Sequence, residues 1–425
     1  MSILLLFGIL FTCVTLSLPI GASLGLATAI TIGLTTSIPT VMINQNAFAG
    51  LDSFPLMAIP FFMLAGNLMA VGGIAKRIVN VCDIMVGKIT GGVGMATIAA
   101  SMFFAAISGS GPATVSAMGT IMLPEMENRG YDKGFATGLT ATAGTIGVII
   151  PPSIPFVIYG VVASASIGEL FIAGVIPGIL IGVALMFVCY CISKKKGYKG
   201  TTHDELKFWP VFTESIWALI TPVIILGGIY GGVFTPTEAA VVGIVYSFIV
   251  GVFIYRELNW HSFIAALRST ADLNGLTGFA IGFSMAFASY LAMEQIPIKV
   301  AAVLTSVITN GTVLLLMILV MLLIVGLFVD NISSCLILTP VFLPIVKSLG
   351  MDPVQFGVVM TTALAIGFVT PPYGANLFVA SAISGLSIER IAKSAIPFLI
   401  AMAICLLLIT FVPVLTMGLV GLMKS

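Results

Sequence analysis

"GVIIPPSIP" at residues 147–155 and "GFVTPPYGA" at residues 367–375 share one pattern, a glycine followed four residues later by a proline pair. The two stretches lie 220 residues apart, each within a long run that has no charged residue. Proline removes a backbone donor and clashes with the carbonyl one turn earlier, and it pushes the preceding residue out of helical geometry. Each stretch therefore predicts a helix that is interrupted at its proline pair, over residues 134–165 and 354–385.

The composition around these stretches places the chain in lipid. Of 425 residues, 59% are hydrophobic and 8% are charged, and the mean hydropathy is +1.20. A soluble domain could not bury so much apolar surface. A helix needs about 20 residues to cross the hydrocarbon layer, and charge-free windows of that length lie at 170–193, 215–237, 273–293, 300–329, 354–388 and 394–423. We therefore predict an all-α polytopic membrane protein that is surrounded by membrane lipid.

The remaining composition excludes several classes of function. The net charge is +1, so we expect no nucleic-acid partner. The six cysteines show no CxxC spacing and the two histidines lie in polar connecting segments, so we expect neither a transition-metal site nor an organic cofactor. Because no HExxH motif or catalytic serine motif occurs, the chain is not expected to be an enzyme. The apolar N-terminus lacks a basic region, which favours a retained first helix over a signal peptide.

The distribution of lysine and arginine predicts how the chain crosses the membrane, because these residues accumulate on the cytoplasmic side. With "KKKGYKG" at 194–200 inside, 14 of the 17 basic residues fall inside, and Lys299, Lys347 and Lys424 fall outside. This holds only if residues 93–128 and 313–348 each enter and leave by the same face. We therefore predict two re-entrant helical hairpins. Segments 74–90 and 257–270 mix apolar and charged residues, which is typical of helices that lie along the interface.

A shift of 220 residues aligns the chain with itself. Residues 120–177 and 340–397 are identical at 14 of 58 positions without a gap. The matches include Pro124/Pro344, Gly130/Gly350, Asp132/Asp352, Gly147/Gly367, Pro151/Pro371, Pro152/Pro372, Glu169/Glu389 and Pro177/Pro397. An apolar composition alone would not align these residue types. Since one hairpin is predicted to open inward and the other outward, the repeats are inverted, as in many secondary transporters.

These features divide the chain into four predicted parts. They are residues 1–92, scaffold and arm helices of repeat 1; 93–192, the first half of a transport domain; 193–311, a cytoplasmic linker with the scaffold and arm helices of repeat 2; and 312–425, the second half of the transport domain with a C-terminal helix. Each half of the transport domain holds one re-entrant hairpin and one discontinuous helix.

The interruptions predict cation sites. Polar tips, "AISGSGPATVSAMG" at 106–119 and "FVDNISSC" at 328–335, lie midway through the hairpins. Unwound backbone in hydrocarbon leaves carbonyls that cost several kcal/mol each when unsatisfied, on the order of the penalty for a lost hydrogen bond. A dehydrated sodium ion satisfies such oxygens without needing a fixed negative charge. Each repeat therefore predicts one sodium site, and the N-termini of the half-helices favour an anionic substrate nearby.

Structural interpretations of the same residues stay open at this level. Glycine and proline in a membrane helix can kink it or allow close packing. Asp330 can be a surface carboxylate at a helix end, or a functional group within the membrane. Ser108, Ser110 and Thr114 can be ordinary hydrogen-bonding groups of a hairpin tip. Glu169 and Glu389 are expected to cap helices or lie in loops at the membrane boundary.

The chain resembles the large membrane subunit of tripartite ATP-independent periplasmic (TRAP) transporters over nearly its whole length, and it looks most similar to the sialic-acid branch of that family. The resemblance is carried by "FFAAISGSGPATVSAMGTIMLPEM", "GYDKGFATGLTATAGTIGVIIPPSIPFVIYG", "GGVFTPTEAA" and "GFVTPPYGANLFVASAISG". It implies an elevator-type ion-transporter fold in the bacterial inner membrane. It further implies sodium-driven uptake of an organic anion of the sialic-acid or C4-dicarboxylate class. A periplasmic substrate-binding protein would deliver this anion, and a small four-helix membrane subunit, expected as a separate chain, would bind the large one.

The resemblance also implies where the sites lie. Sodium site 1 would comprise Ser108, Gly109, Ser110, Gly111, Thr114, Gly144, Gly147, Val148 and Pro151. Sodium site 2 would comprise Gly326, Asp330, Asn331, Ser333, Ser334, Gly367, Thr370 and Pro371. The substrate would contact Ser110, Pro112, Thr114, Pro152, Ser153, Asn331, Pro372, Tyr373 and Asn376.

The predicted mechanism moves both hairpins and both interrupted helices as one domain against the scaffold. The same sequence features also fit a sodium/dicarboxylate carrier of this architecture that needs no binding protein. A channel, an intramembrane enzyme, and a carrier coupled to protons through Asp330 stay open as further interpretations.

Overall fold

The computed structural model describes residues 2–16, 18–36, 38–200, 208–296, 298–299, 310–372 and 374–424, and within these ranges the chain is helical and has no strand. The helices before residue 200 are α1 Ser2–Thr15, α2 Ile20–Thr35, α3 Val41–Leu51, α4 Ala58–Val71, α5 Ile74–Val86, α6 Gly92–Ser108, α7 Gly111–Asn128, α8 Lys133–Ala143, α9 Ile154–Ala163 and α10 Ile167–Lys196. Those after it are α11 Phe208–Tyr230, α12 Pro236–Ile249, α13 Trp260–Met293, α14 Gly311–Gly326, α15 Asn331–Ser348, α16 Pro353–Gly367, α17 Ala375–Ser384, α18 Ile388–Phe411 and α19 Val414–Lys424. The all-α prediction is confirmed.

Many of these helices are apolar enough to lie in a membrane. Within the described ranges, seven helical segments are long and apolar enough to cross it: Phe54–Val71, Ile167–Lys196, Phe208–Tyr230, Pro236–Ile254, Trp260–Met293, Asn331–Ser348 and Ile388–Phe411. Large side chains such as Phe187, Trp209 and Phe253 are exposed on the outside of the molecule. An exterior of this kind is stable where lipid replaces water as the solvent.

Matching residues of the two aligned segments make matching turns. Gly130 and Gly350 both adopt the left-handed conformation, with φ of 78° and 82°, where L side chains are strained. The next helix then begins with an aspartate cap in each case. The Asp132 carboxylate accepts from the Phe135 N–H at 2.8 Å, and the Asp352 carboxylate accepts from the Val354 N–H at 2.7 Å. The identities noted in the sequence therefore mark where one helix ends and the next one begins.

Both predicted hairpins consist of two helices that meet at a polar interruption. α6 ends at Ser108 and α7 begins at Gly111, with Gly109 in the left-handed conformation between them. α14 ends at Gly326 and α15 begins at Asn331. We call residues 108–114 tip 1 and residues 326–334 tip 2.

Both proline pairs lie where helical structure stops. α8 ends at Ala143, tightens into a 3₁₀ segment at Gly144–Val148 and stops before α9. α16 ends at Gly367, and α17 begins at Ala375 after Gly374, which has a positive φ. We call residues 144–153 and 368–374 break 1 and break 2. Neither proline pair is part of a continuous helix, as the sequence predicts.

The two halves interlock instead of lying side by side. α9 of the first half packs against α15 and α16 of the second half, and α17 of the second half packs against α7 and α8 of the first. Tyr159 on α9 donates a hydrogen bond to the Pro353 carbonyl at 2.6 Å. α4 and α13 flank this unit, against α6 and α15 respectively. This exchange brings the two tips and break 1 together.

Candidate functional site

Tip 1 is a closed cluster of hydroxyl and carbonyl oxygens. The Ser108 and Thr114 hydroxyls are buried and lie 3.0 Å apart, and Thr114 Oγ1 donates to the Ser110 carbonyl at 2.8 Å. Ser110 caps α7, and Pro112 occupies its first turn, where a missing N–H costs nothing. Local sequence thus directs the tip oxygens to one point.

Break 1 lies against tip 1. A Cβ on Gly147 would lie 2.5 Å from Thr114 Oγ1 and 2.6 Å from the Ser110 carbonyl oxygen, so glycine is required for this approach. The Ile154 N–H donates to the Gly109 carbonyl at 3.2 Å, which joins the tip to the start of α9. The Ser153 hydroxyl donates to the Val148 carbonyl at 2.6 Å.

Most predicted members of sodium site 1 therefore meet at one place. They are Ser108, Gly109, Ser110, Gly111 and Thr114 from tip 1, and Gly144, Gly147 and Val148 from break 1. Pro151 and Pro152 are both buried, and the Pro152 carbonyl faces Gly109. Each hydroxyl of this cluster already forms a hydrogen bond within the protein.

Tip 2 has the same plan with different residues. Asp330 takes the place of Ser110 as the cap, and its carboxylate accepts from the Ser333 N–H at 3.1 Å. Gly326 and Gly367 touch through their backbones, and a Cβ on Gly367 would overlap the Gly326 carbonyl. The Asn331 side chain donates to the Thr361 carbonyl at 3.3 Å and thereby joins α15 to α16.

Several hydroxyl oxygens of α15 and α16, two helices that pack together beside tip 2, are buried without a hydrogen bond. Among the described residues, the fully buried Ser334 and Thr362 hydroxyls have no hydrogen-bond partner. The Ser333 hydroxyl lies near the Asp330 carboxylate and the Thr361 hydroxyl near the Cys335 thiol, in both cases without normal hydrogen-bond geometry. Unpaired buried hydroxyls are unfavourable. This half therefore presents acceptor oxygens that a cation can use.

Other predicted members of sodium site 2 lie further out. The Thr370 hydroxyl donates to the Ile366 carbonyl at 2.9 Å, and Pro371 and Pro372 are exposed. Sequence reasoning missed Thr361 and Thr362, although the repeat alignment pairs Thr362 with Thr142. That identity is the signal that could have found it.

A cavity of about 440 Å³ lies between the two tips. It is lined by the first residues of four helices: Gly111, Pro112 and Ala113 of α7, Ile154 and Pro155 of α9, Asn331 and Ile332 of α15, and Ala375 of α17. Asn67, Ser269 and Thr277 line it from α4 and α13, and sequence reasoning missed all three. Among the described lining residues Asp330 is the one with an ionisable side chain. Four helix N-termini, each of which favours a nearby negative charge, thus face the same cavity as the Asp330 side chain.

The predicted substrate residues divide between this cavity and its surroundings. Ser110, Pro112 and Asn331 line it. Thr114, Pro152, Ser153 and Asn376 are buried and do not line it. Pro372 lines a neighbouring cavity of about 520 Å³, which Asp330 also borders. Tyr373 lies outside the described residues.

A third cavity continues the central one along α13. Its volume is about 720 Å³, and it shares Ser269 and Leu273 with the cavity between the tips. His261, Arg268 and Asp272 line its outer part. The two cavities are therefore neighbours along α13. Because α13 is one continuous helix from Trp260 to Met293, most of segment 257–270 does not form the separate interfacial helix that the sequence predicts.

The sequence of the chain matches a known transporter family over most of its length. The model of the tripartite ATP-independent periplasmic transporter family, DctM component, matches residues 7–415. The chain belongs to this family. The TRAP large permeases are transport proteins, which confirms that the chain is not an enzyme, and it is a multi-pass integral protein of the bacterial inner membrane.

Individual TRAP relatives differ in the substrate that their names state. The chain is 46% identical over 98% of its length to the isethionate TRAP permease DctMQ of Oleidesulfovibrio alaskensis, and it spans 66% of that protein. It is 37% identical to the C4-dicarboxylate TRAP large permease DctM of Rhodobacter capsulatus, and the match covers both chains fully. It is 37% identical over 94% of its length to the sialic acid TRAP permease SiaT of Haemophilus influenzae, of which it spans 65%.

The fold is also found in a solved structure outside these relatives. The Alcanivorax borkumensis YdaH transporter superposes with a TM-score of 0.62 at 15% identity, over 87% of this chain and 86% of that one. At this identity the likeness shows a shared fold.

Proposed function

We propose that this chain is the large subunit of a sodium-coupled TRAP transporter that takes up a small organic anion by an elevator mechanism. The observation that carries the proposal is that α15 and α16 hold buried oxygens without hydrogen bonds, Ser334 and Thr362 foremost. A transporter that uses sodium needs oxygen donors that gain a partner when the ion binds, and this group meets the requirement.

Energetics favour a cation at this place. A buried hydroxyl without a partner costs about 1–3 kcal/mol. In the membrane, water cannot easily supply that partner. Sodium accepts lone pairs from several oxygens at once, so it recovers the cost of all of them together. The Gly326 carbonyl, which lies against Gly367, is a further backbone oxygen of tip 2.

The cavity between the tips fits an anion. The N-termini of α7, α9, α15 and α17 line it. Each helix N-terminus stabilises a negative charge by about 0.3–2 kcal/mol, depending on burial. Carboxylates and sulfonates accept hydrogen bonds from such N–H groups, so we propose substrates of the C4-dicarboxylate, sialic acid or isethionate kind, as the relatives' names suggest.

The proposed partners follow from the family. TRAP large permeases work together with a small membrane subunit and a periplasmic binding protein. We propose that this chain receives its substrate from such a binding protein and is held in the membrane with such a subunit. Membrane lipid covers the remaining apolar exterior, including Phe187 and Phe253.

The proposed movement uses the interlocked halves as one body. Because α9 and α17 each pack into the opposite half, neither half can move far without the other. α4 and α13 form the facing wall of the central cavity. Moving one uncompensated charge across the membrane costs about 2.3 kcal/mol per 100 mV. Cotransport of more sodium ions than anionic charges therefore allows the membrane potential to drive uptake.

Reconstitution tests the proposal. The purified chain with its small subunit is placed in proteoliposomes, and uptake of radiolabelled isethionate, succinate or sialic acid is measured with and without a candidate binding protein. We expect uptake of one of these that requires an inward sodium gradient and the binding protein. Uptake driven equally by a proton gradient without sodium contradicts sodium coupling. Uptake without any soluble protein indicates the binding-protein-independent carrier instead.

A further inference from the structure

Asn376 joins the two halves at a point where the repeats differ. It is the second residue of α17 and is fully buried. Its backbone N–H donates to the Phe368 carbonyl at 3.0 Å, which closes break 2. Its side-chain Nδ2 donates to the Ala141 carbonyl at 3.0 Å, in α8 of the opposite half. Among the described residues, its Oδ1 has no hydrogen-bond partner.

The repeat alignment shows why this bond is unusual. Ala141 and Thr361 occupy equivalent positions, 220 residues apart. The Thr361 carbonyl accepts a hydrogen bond from the side-chain amide of Asn331, within the same half. The residue equivalent to Asn331 is Gly111, which has no side chain. In the first half, the side-chain amide that bonds the equivalent carbonyl, that of Ala141, therefore comes from the other repeat.

The amide of Asn376 lies among the glycines of site 1. A Cβ on Gly111 would lie 3.1 Å from Asn376 Oδ1 and 3.1 Å from the Phe368 ring. A Cβ on Gly144 would lie 3.3 Å from Asn376 Nδ2 and 3.2 Å from the Gly111 carbonyl oxygen. Glycine at 111 therefore leaves room for the crossing side chain, whereas glycine at 144 is required first by Val115, whose Cγ2 atom a Cβ would approach to 2.2 Å.

We propose that Asn376 is the positioning residue that couples the two sodium sites, an inference that rests on the proposed sodium-coupled function. Its backbone closes break 2, which begins directly after Gly367, and Gly367 touches the Gly326 backbone of tip 2. Its side chain is lodged between tip 1 and break 1. Sodium at site 2 orders tip 2 and with it break 2, which fixes the Asn376 amide and completes the packing around site 1. Because such coupling is reciprocal, sodium at site 1 also favours binding at site 2.

Equilibrium binding of radioactive sodium to the purified complex of this chain and its small subunit tests the coupling. For the wild type we expect two bound ions and a Hill coefficient of about 2, the limit set by the number of sites. Asn376→Ala is expected to bind the same number of ions with a Hill coefficient of about 1. Gln355→Ala is the matched control, because Gln355 is also a buried amide that donates to a backbone carbonyl, that of Thr410, at 3.1 Å. Its Hill coefficient should equal that of the wild type.

Moving the side-chain amide from position 376 to position 111 distinguishes coupling between the two sodium sites from a packing role of Asn376. In the double variant Gly111→Asn with Asn376→Ala, the first half carries its own amide, as the second half does. We expect the thermal stability without sodium to recover relative to Asn376→Ala, while the Hill coefficient stays at about 1. A double variant that regains cooperative binding overturns the proposal, since Asn376 would then only fill space.

The remaining outcomes are also decisive. A wild type that binds no sodium refutes the proposed function itself. A wild type that binds one ion, or two ions independently, refutes the coupling and leaves the function standing. An unchanged Hill coefficient in Asn376→Ala also refutes it. If that variant does not fold, Asn376→Asp keeps the shape and Oδ1 but lacks the Nδ2 donor, and its Hill coefficient decides the matter in the same way.

Discussion

The hydroxyls around tip 1 are hydrogen-bonded, whereas several hydroxyls of α15 and α16 are not. Around tip 1, the hydroxyls of Ser108, Thr114 and Ser153 form hydrogen bonds, and the proline pair of break 1 is buried. In α15 and α16, the hydroxyls of Ser334 and Thr362 have no hydrogen-bond partner among the described residues. The proline pair of break 2 is exposed.

This difference indicates that the two similar halves respond differently to a bound ion. A cluster whose polar groups are already paired keeps its shape without an ion. A cluster with unpaired oxygens gains more from an ion and changes more when the ion leaves. We therefore expect tip 2 and break 2 to respond most strongly to sodium. Three substitutions test this expectation.

The largest effect is expected where the second half has no space. In Gly367→Ala, the new methyl group would overlap the Gly326 carbonyl, and backbone cannot rotate away as a side chain can. We expect loss of sodium-dependent uptake, with a lowered melting temperature of the purified protein.

Gly275→Ala is the control for that substitution, because no atom of the described part of the chain lies within 4 Å of a Cβ at this helical position. It should retain wild-type uptake and melting temperature. Wild-type behaviour of Gly367→Ala would show that the two backbones do not touch in the working protein.

Removing a threonine hydroxyl should have a smaller effect on the protein, and this effect should differ between the two halves. In Thr362→Val, an unpaired hydroxyl is replaced by a methyl of similar size, so the free energy of unfolding without sodium should stay equal or rise. The sodium concentration for half-maximal binding should rise about tenfold, equivalent to about 1.4 kcal/mol.

Thr142→Val is the matched substitution in the first half. The Thr142 hydroxyl donates to the Gly138 carbonyl at 2.7 Å, so its loss should lower the free energy of unfolding by about 0.5–1.5 kcal/mol and leave sodium affinity nearly unchanged. Sodium titration of thermal unfolding measures both quantities. Equal effects of the two variants on sodium affinity would remove the proposed division between the halves.

The smallest effect is expected at the two caps. Ser110 and Asp330 are equivalent cap residues, and asparagine caps a helix about as well as aspartate. Asp330→Asn should therefore keep tip 2 folded and lower the rate of uptake several-fold, on the order of one weakened charge-assisted contact. Uptake should still require sodium. Complete loss of uptake in this variant, together with indifference of the wild type to sodium, would support proton coupling instead.

The sequence predicts the interruptions of this fold because their causes are local. Proline pairs stop helices wherever they occur, and Gly130 and Gly350 turn the chain because their backbone conformation suits glycine. Asp132 and Asp352 begin helices for an equally local reason, through bonds to N–H groups two or three residues away. Hence the positions of both hairpin tips and both breaks follow from short stretches of sequence.

Contacts between the halves cannot be predicted from short stretches of sequence. A threonine inside a helix commonly donates to the carbonyl one turn earlier, so nothing local marks Thr362 as unpaired. Asn376 meets Ala141 across 235 positions of chain. Asn67 and Ser269 face the cavity only because α4 and α13 pack beside the tips. These residues are set by packing at long sequence separation.

The exchange of α9 and α17 between the halves has a consequence for biogenesis. Residues Ile154–Gly160 of α9 are buried on every side, largely by α15 and α16, which the ribosome makes much later. During synthesis the first half enters the bilayer before α15 and α16 exist. Until they are inserted, α9 is exposed to lipid. Co-expressed fragments divided after Gly200 should thus assemble into a complete permease, whereas the first fragment alone should be a substrate for membrane quality-control proteases.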